Sequence, residues 1–197
     1  MPKRNLQFVA GQYYHIYNRG AGRQSIFLNN ENYTYALRLL KRVAAECQVS
    51  VIAYCLLPNH YHWLLRQDGD CPASAVPKRV FGSYSQAFNK IYNRSGALFE
   101  GPFKAIVVET NGYLHHLCRY IHANPVRHAI AFDLEMWPYS NYLDWIGKRN
   151  GTLVDPAFVE THFGSAIAYQ AYVQSLLTGE VQLPKSLQGY LDQLENE

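Results

Sequence analysis

The stretch Tyr54-Cys55-Leu56-Leu57-Pro58-Asn59-His60-Tyr61-His62-Trp63-Leu64-Leu65 decides the fold. Two apolar runs, residues 50–57 and 60–65, flank a Pro-Asn pair of turn-forming residues, so the spacing predicts a β-hairpin. Successive side chains on a strand point to opposite faces, which places His60 and His62 together and Tyr61 on the other side. Two imidazoles so spaced can grip one metal ion. A His-x-His pair alone is also the pattern of ordinary surface or hydrogen-bonded histidines.

Upstream, Tyr13–Asn18 is aromatic and β-branched and ends at Arg19-Gly20, as a strand running into a turn would. Residues 31–46 carry Tyr35, Leu39, Leu40, Val43 and Ala44 at helical spacing. Downstream, Gly69, Pro72 and Pro77 mark a loop. A helix is expected over about 78–93, with Val80, Tyr84, Phe88 and Ile91 on one side. A strand follows at Phe103–Glu109, is broken by Asn111-Gly112, and gives way to a helix over Tyr113–His122 that stops before Pro125. The first six elements form a ferredoxin-like split βαβ arrangement, an α+β fold in which an antiparallel sheet carries its helices on one face. RNA-binding modules and enzymes share that fold, so it selects no function. Beyond Pro125, Trp137-Pro138-Tyr139-Ser140 and Asn150-Gly151 read as turns, with short helices near 156–163 and 165–177. The expected organisation is a domain over residues 1–128 and an acidic, partly helical extension over residues 129–197.

With 48% hydrophobic and 17% charged residues, the chain can bury a core. No apolar run approaches the roughly 20 residues that span a bilayer, so no membrane partner is expected. Met1–Asn5 does not read as a secretory signal. Four scattered cysteines without a CxxC pair argue against a zinc knuckle or a disulfide scaffold, and the cytoplasm, beside the nucleoid, is the expected location. Residues 1–128 hold 15 Lys/Arg against six Asp/Glu, whereas residues 151–197 hold Lys185 against six acids. A basic body suits a polyanion, and 16 tyrosines could supply stacking platforms for unpaired bases. Arg19, Lys78, Arg79, Lys90, Arg94, Lys104, Arg119 and Arg127 are candidate phosphate contacts, with Lys104 and Arg127 foremost. For each, a solvated surface charge is the competing reading. His15 reads as core packing, and His115, His116, His122 and His128 as surface or packing histidines.

Tyr120-Ile121-His122-Ala123-Asn124 is the second constellation. Positions i and i+4 share a helical face, so the Tyr120 hydroxyl and the Asn124 amide can approach one point. Taken with the hairpin, this suggests a two-histidine, one-amide metal site beside a tyrosine nucleophile.

These segments carry a family resemblance. His60-Tyr61-His62 in its hairpin resembles the HUH motif (histidine, bulky apolar residue, histidine) of transposases that act on single strands. Arg119-Tyr120-Ile121-His122-Ala123-Asn124-Pro125-Val126-Arg127 resembles the nucleophile helix of REP-associated tyrosine transposases, of the IS200-like superfamily. Tyr14-His15-Ile16-Tyr17-Asn18-Arg19-Gly20, Leu98-Phe99-Glu100-Gly101-Pro102-Phe103-Lys104 and Trp137-Pro138-Tyr139-Ser140 are also similar to segments of that family, so the likeness runs from about residue 13 to 175. Tyr61 departs from the pattern, which more often has an aliphatic residue there.

The resemblance implies a metal-dependent endonuclease and strand transferase acting on single-stranded, REP-like hairpin DNA. Tyr120 would attack a phosphate to give a 5′-phosphotyrosine and a free 3′-hydroxyl. His60, His62 and Asn124 would hold Mg²⁺ or Mn²⁺, although two imidazoles and an amide also suit zinc, iron or nickel by ligand softness. The working form would be a monomer or a homodimer. A tyrosine placed after the histidines fits transposases and replication initiators, whereas relaxases place theirs first, where Tyr13, Tyr14 and Tyr17 lie. Competing readings are a non-cleaving DNA or RNA hairpin-binding protein of the same fold and, more remotely, a metal-independent tyrosine recombinase.

Overall fold

The structure, a computed structural model, describes residues 6–196; Met1–Asn5, with the signal reading made there, and Glu197 lie outside the described residues. Four strands, β1 (Tyr13–Arg19), β2 (Val49–Leu57), β3 (His60–Gln67) and β4 (Lys104–Val108), form one antiparallel sheet in the order β2-β3-β1-β4. The helices are α1 (Asn30–Glu46), α2 (Ala75–Ile91), α3 (Asn111–Arg127), α4 (Tyr142–Trp145), α5 (Pro156–Phe163), α6 (Ala166–Leu177) and α7 (Lys185–Asn196). Strand order and element order are those of the split βαβ fold. None of the described helices is long and apolar enough to cross a membrane.

The chain divides into two compact units. The first is the chain up to Val51 with Leu56–Val107; the second is Ile52–Cys55, from the middle of β2, with the chain from Val108 onward. The boundary expected after residue 128 thus falls inside the second unit.

In the first unit, β1 and β3 pair so that His15 lies opposite Leu64, Tyr17 opposite His62 and Arg19 opposite His60. One face of this ribbon carries Tyr61 and Trp63, and α2 covers it. Phe81 lies with its ring 4.3 Å from that of Tyr61 and 5.0 Å from that of Trp63. Tyr61 therefore points away from the histidines, as strand alternation requires. Helix α1 packs on α2, burying Ala36, Leu39, Leu40 and Val43, and its N-terminus is capped by Asn29, whose side chain accepts from the Asn32 N–H at 3.1 Å. Ile91, expected on the buried stripe of α2, is 65% exposed, because the helix ends there and Tyr92 closes the stripe against Phe88 at 4.6 Å. The segment 98–101 runs beside the end of β1: Ala21 N–H donates to Leu98 O (3.0 Å) and Glu100 N–H to Arg19 O (3.0 Å). A Cβ at Gly20 would sit 2.1 Å from Gln24 O, so only glycine permits this turn.

Phe81 joins sheet to helix, so Phe81→Ala should cost about 3–5 kcal/mol. The urea midpoint checks it; a loss below about 1 kcal/mol would show that this aromatic cluster does not carry the packing.

In the second unit, Ser140-Asn141 guards the free edge of β2. Asn141 Oδ1 accepts from Tyr54 N–H, and Asn141 Nδ2 donates to Ile52 O, both at 2.8 Å. An edge strand presents unpaired backbone groups, and this side chain satisfies them. Arg149 holds the guard in place, donating to Pro138 O, Ser140 O and the Asp144 carboxylate. The Trp137–Ser140 segment, expected as a turn, does turn at Pro138-Tyr139, and Ser140 at its end bridges to Cys55 of β2. Helix α6 packs on α3, with Tyr169 and Val173 fully buried.

Helix α3 corrects the sequence reading, because it runs through Pro125 to Arg127. Proline removes one helical N–H and crowds the preceding turn. Here Asn124 Nδ2 donates to Tyr120 O at 2.9 Å, and His128 N–H closes the next turn on Asn124 O at 3.0 Å. The side-chain amide adds a bond one turn back along the helix, and thirteen consecutive buried or partly buried positions, 114–126, anchor the helix by packing.

Candidate active site

His60 and His62 lie on the sheet face opposite α2, beside His15, Tyr17 and Arg19 of β1. Both are buried, and their rings meet edge to face at 5.3 Å between centroids. Each is oriented through Nδ1. His60 Nδ1 contacts Asn59 Oδ1 at 2.7 Å, and His62 Nδ1 contacts His15 Nε2 at 3.0 Å. Tyr17 packs over both rings, at 5.9 Å from His60 and 4.8 Å from His62. Burial pushes the His15 imidazole down to about 3, so it is neutral at physiological pH.

With Nδ1 engaged in each ring, a metal ion would be taken by Nε2. Two imidazole nitrogens fit a divalent ion whose other positions are filled by oxygens, as from phosphate and water. Among the described residues no group of three or more His, Cys, Asp or Glu could hold a metal, so a third protein ligand would have to be an amide or hydroxyl. Asn124, the expected third ligand, belongs to the second unit. Its Nδ2 donates to Tyr120 O and its Oδ1 lies 3.1 Å from His128 Nε2, a contact that metal binding through Oδ1 would displace.

In the second unit Tyr120 is fully buried on α3, and the Arg127 guanidinium lies over its ring, 5.2 Å from the centroid. A cation against the Tyr120 ring was not foreseen; the i, i+7 spacing on one helix was the available signal. His122, expected as a surface or packing histidine, sits at the centre of a buried polar chain. Its Nδ1 accepts from Tyr169 Oη at 2.6 Å and its Nε2 donates to Asn141 Oδ1 at 2.8 Å, the same oxygen that caps β2. Burial lowers its pKa to about 4.

His122 is therefore neutral in the native state, while the unfolded chain takes up a proton below about pH 6.5. Stability contributed by the neutral form is complete above that value and is lost as pH falls towards 4, by on the order of 3 kcal/mol. His122→Gln should flatten the dependence of unfolding free energy on pH between 6 and 4.5 by close to one proton. An unchanged slope in urea titrations would mean that His122 already carries its proton when folded.

The basic residues part company. Lys78 and Arg127 are exposed, and Lys104 is half-buried at the start of β4. Arg79 is exposed but paired with Glu46. Arg19 is buried and ion-paired with Glu100 at 2.7 Å. Arg119 is fully buried: it contacts His116, donates to Gln182 O at 3.4 Å and lies 4.4 Å from the centre of the Tyr172 ring. Arg19 and Arg119, both expected at a DNA surface, are engaged in internal contacts.

The model of the family described as IS200-like transposases matches residues 8–124, which include His15, His60, His62, Tyr120 and Asn124. No curated protein matches the chain. Among solved structures, a REP-associated tyrosine transposase bound to a REP hairpin is similar over 79% of this chain and 94% of its own, with 18% identity and a TM-score of 0.62. A candidate transposase from Deinococcus radiodurans R1 is similar over 61% of this chain and 95% of its own, with 16% identity and a TM-score of 0.43.

Proposed function

Because the chain belongs to the family of IS200-like transposases, we propose that it cuts and rejoins single-stranded DNA at hairpins through a covalent bond to Tyr120. The observation that carries this reading is the buried His60–His62 pair, each ring oriented through Nδ1 so that a metal ion would be taken through Nε2. The hairpin specificity draws on the REP hairpin bound by the protein of similar fold.

Tyr120 Oη attacks the phosphorus, and the bond to the 3′-oxygen breaks. The DNA is left with a 3′-hydroxyl and the enzyme with a 5′-phosphotyrosine. Attack by a different 3′-hydroxyl reverses the step and joins new strands, because the phosphotyrosine conserves the energy of the broken bond. A phenol with an ordinary pKa of about 10 is a weak nucleophile at neutral pH and needs help. Arg127 places positive charge over the ring and is exposed enough to contact DNA. A divalent ion, Mg²⁺ or Mn²⁺, held by His60 and His62 would offset the charge that develops on the scissile phosphate.

A protein that holds hairpins without cutting them is the second reading, favoured by the full burial of Tyr120 and by the Asn124 amide already engaged along α3. End-labelled, hairpin-containing single-stranded DNA incubated with Mn²⁺ and the protein separates the two. A denaturant-resistant protein–DNA adduct supports cleavage. Retarded but intact DNA across a panel of hairpins supports the binding protein.

A further inference from the structure

We propose that His15 is the positioning residue that holds His62 in the tautomer able to bind the metal. The proposal rests on the metal-binding reading above and adds to it the residue that makes His62 a ligand.

The two imidazoles are diagonal neighbours on the β1–β3 ribbon, since Tyr17, not His15, lies opposite His62. Diagonal pairs on one face lie within reach of long and aromatic side chains. His15 Nε2 and His62 Nδ1 are 3.0 Å apart, the ring planes differ by 3°, and the centroids are 5.2 Å apart. That centroid separation is near the largest that a 3.0 Å contact between ring nitrogens permits. The rings therefore lie edge to edge in one plane, not face to face, which is the arrangement of a linear N–H···N hydrogen bond directed along a lone pair.

A single proton occupies such a bond, so one ring donates and the other accepts. If His62 presents a lone pair at Nε2, its proton must reside on Nδ1 and be donated to His15 Nε2. His15 then carries its own proton on Nδ1. The neighbouring ligand shows the same logic with a different acceptor. Asn59 Nδ2 donates to Arg23 O at 3.2 Å, which turns Asn59 Oδ1 towards His60 and fixes the His60 proton on Nδ1. His15 does for His62 what Asn59 does for His60. Imidazole without such a partner favours the tautomer protonated at Nε2, which cannot coordinate there. Both His15 and His62 are fully buried, so bulk water is no substitute as the acceptor. Partners of this kind tune metal affinity by about 10–100-fold.

The test uses the full-length protein with ¹⁵N-labelled histidine. In EDTA, long-range ¹H–¹⁵N spectra read the tautomer of His62, and Mn²⁺ titration followed by electron paramagnetic resonance reads affinity. The expected results are an Nδ1–H tautomer at His62 in the wild type, a shift to Nε2–H in His15→Phe with Mn²⁺ binding weakened by roughly 10–100-fold, and substantial recovery in His15→Gln, whose Oε1 can accept the bond. An Nε2–H tautomer at His62 in the wild type would overturn the proposal without any variant. So would an unchanged Mn²⁺ affinity in folded His15→Phe. The premise fails in a distinguishable way: wild-type protein that binds Mn²⁺ no better than His60→Ala sinks the metal-binding reading itself.

Discussion

Tyr120→Phe is expected to abolish the covalent DNA adduct, lowering its rate of formation by roughly 10⁴-fold or more, as removal of a nucleophile does in other covalent enzymes. The substitution is well suited to the question. It keeps the ring, its burial and its contact with Arg127, and removes only the hydroxyl oxygen. The fold should therefore persist, with a stability change within about 1 kcal/mol, so that lost chemistry is separable from lost structure. Quantifying denaturant-resistant adduct against time, with thermal unfolding in parallel, checks both. An adduct that forms at the wild-type rate in the phenylalanine variant moves the nucleophile to another of the 16 tyrosines.

On the metal-dependent reading, removing the ion should have the next largest effect. His60→Ala, or excess EDTA on the wild type, should slow cleavage by roughly 10²–10⁴-fold, the several kcal/mol that a bound cation contributes to a phosphate transition state. His60 is the better of the two histidines to replace. Its Nδ1 partner Asn59 is only half-buried, so water can satisfy the amide left behind. Replacing His62 would remove a hydrogen-bond partner of the buried His15 ring and add a cost of about 1–3 kcal/mol that has nothing to do with metal. Cleavage at the wild-type rate in both EDTA and His60→Ala would exclude the metal-dependent route. It would leave Tyr120 assisted by cationic side chains, as in the recombinase reading.

Several features were readable without coordinates because their causes are local. Alternation along β3 placed His60 and His62 on one face and Tyr61 on the other, and Phe81 stacks on Tyr61 from that other side. The Pro58-Asn59 turn set the hairpin, and helical spacing of apolar residues located α1 and α2. Where a local rule met a tertiary contact, the contact prevailed. Pro125 marks a helix end by the steric rule, yet α3 continues, held by the Asn124 amide on Tyr120 O and by packing along its length.

The amino-acid sequence by itself determined the order of elements, the hairpin that presents the two histidines, the Tyr120–Asn124 spacing and the family to which those segments point. Only the tertiary structure decided which polar groups face solvent and which serve one another. Arg19 finds Glu100, 81 positions away; Arg119 finds Gln182, 63 away; and His15 finds His62, 47 away. The physical reason is one of range. Side-chain alternation, helical periodicity and turn preference act between residues a few positions apart and leave a pattern in the chain. A hydrogen bond or ion pair across the fold is set by which strand lies beside which and in what register, and no spacing in the sequence records it.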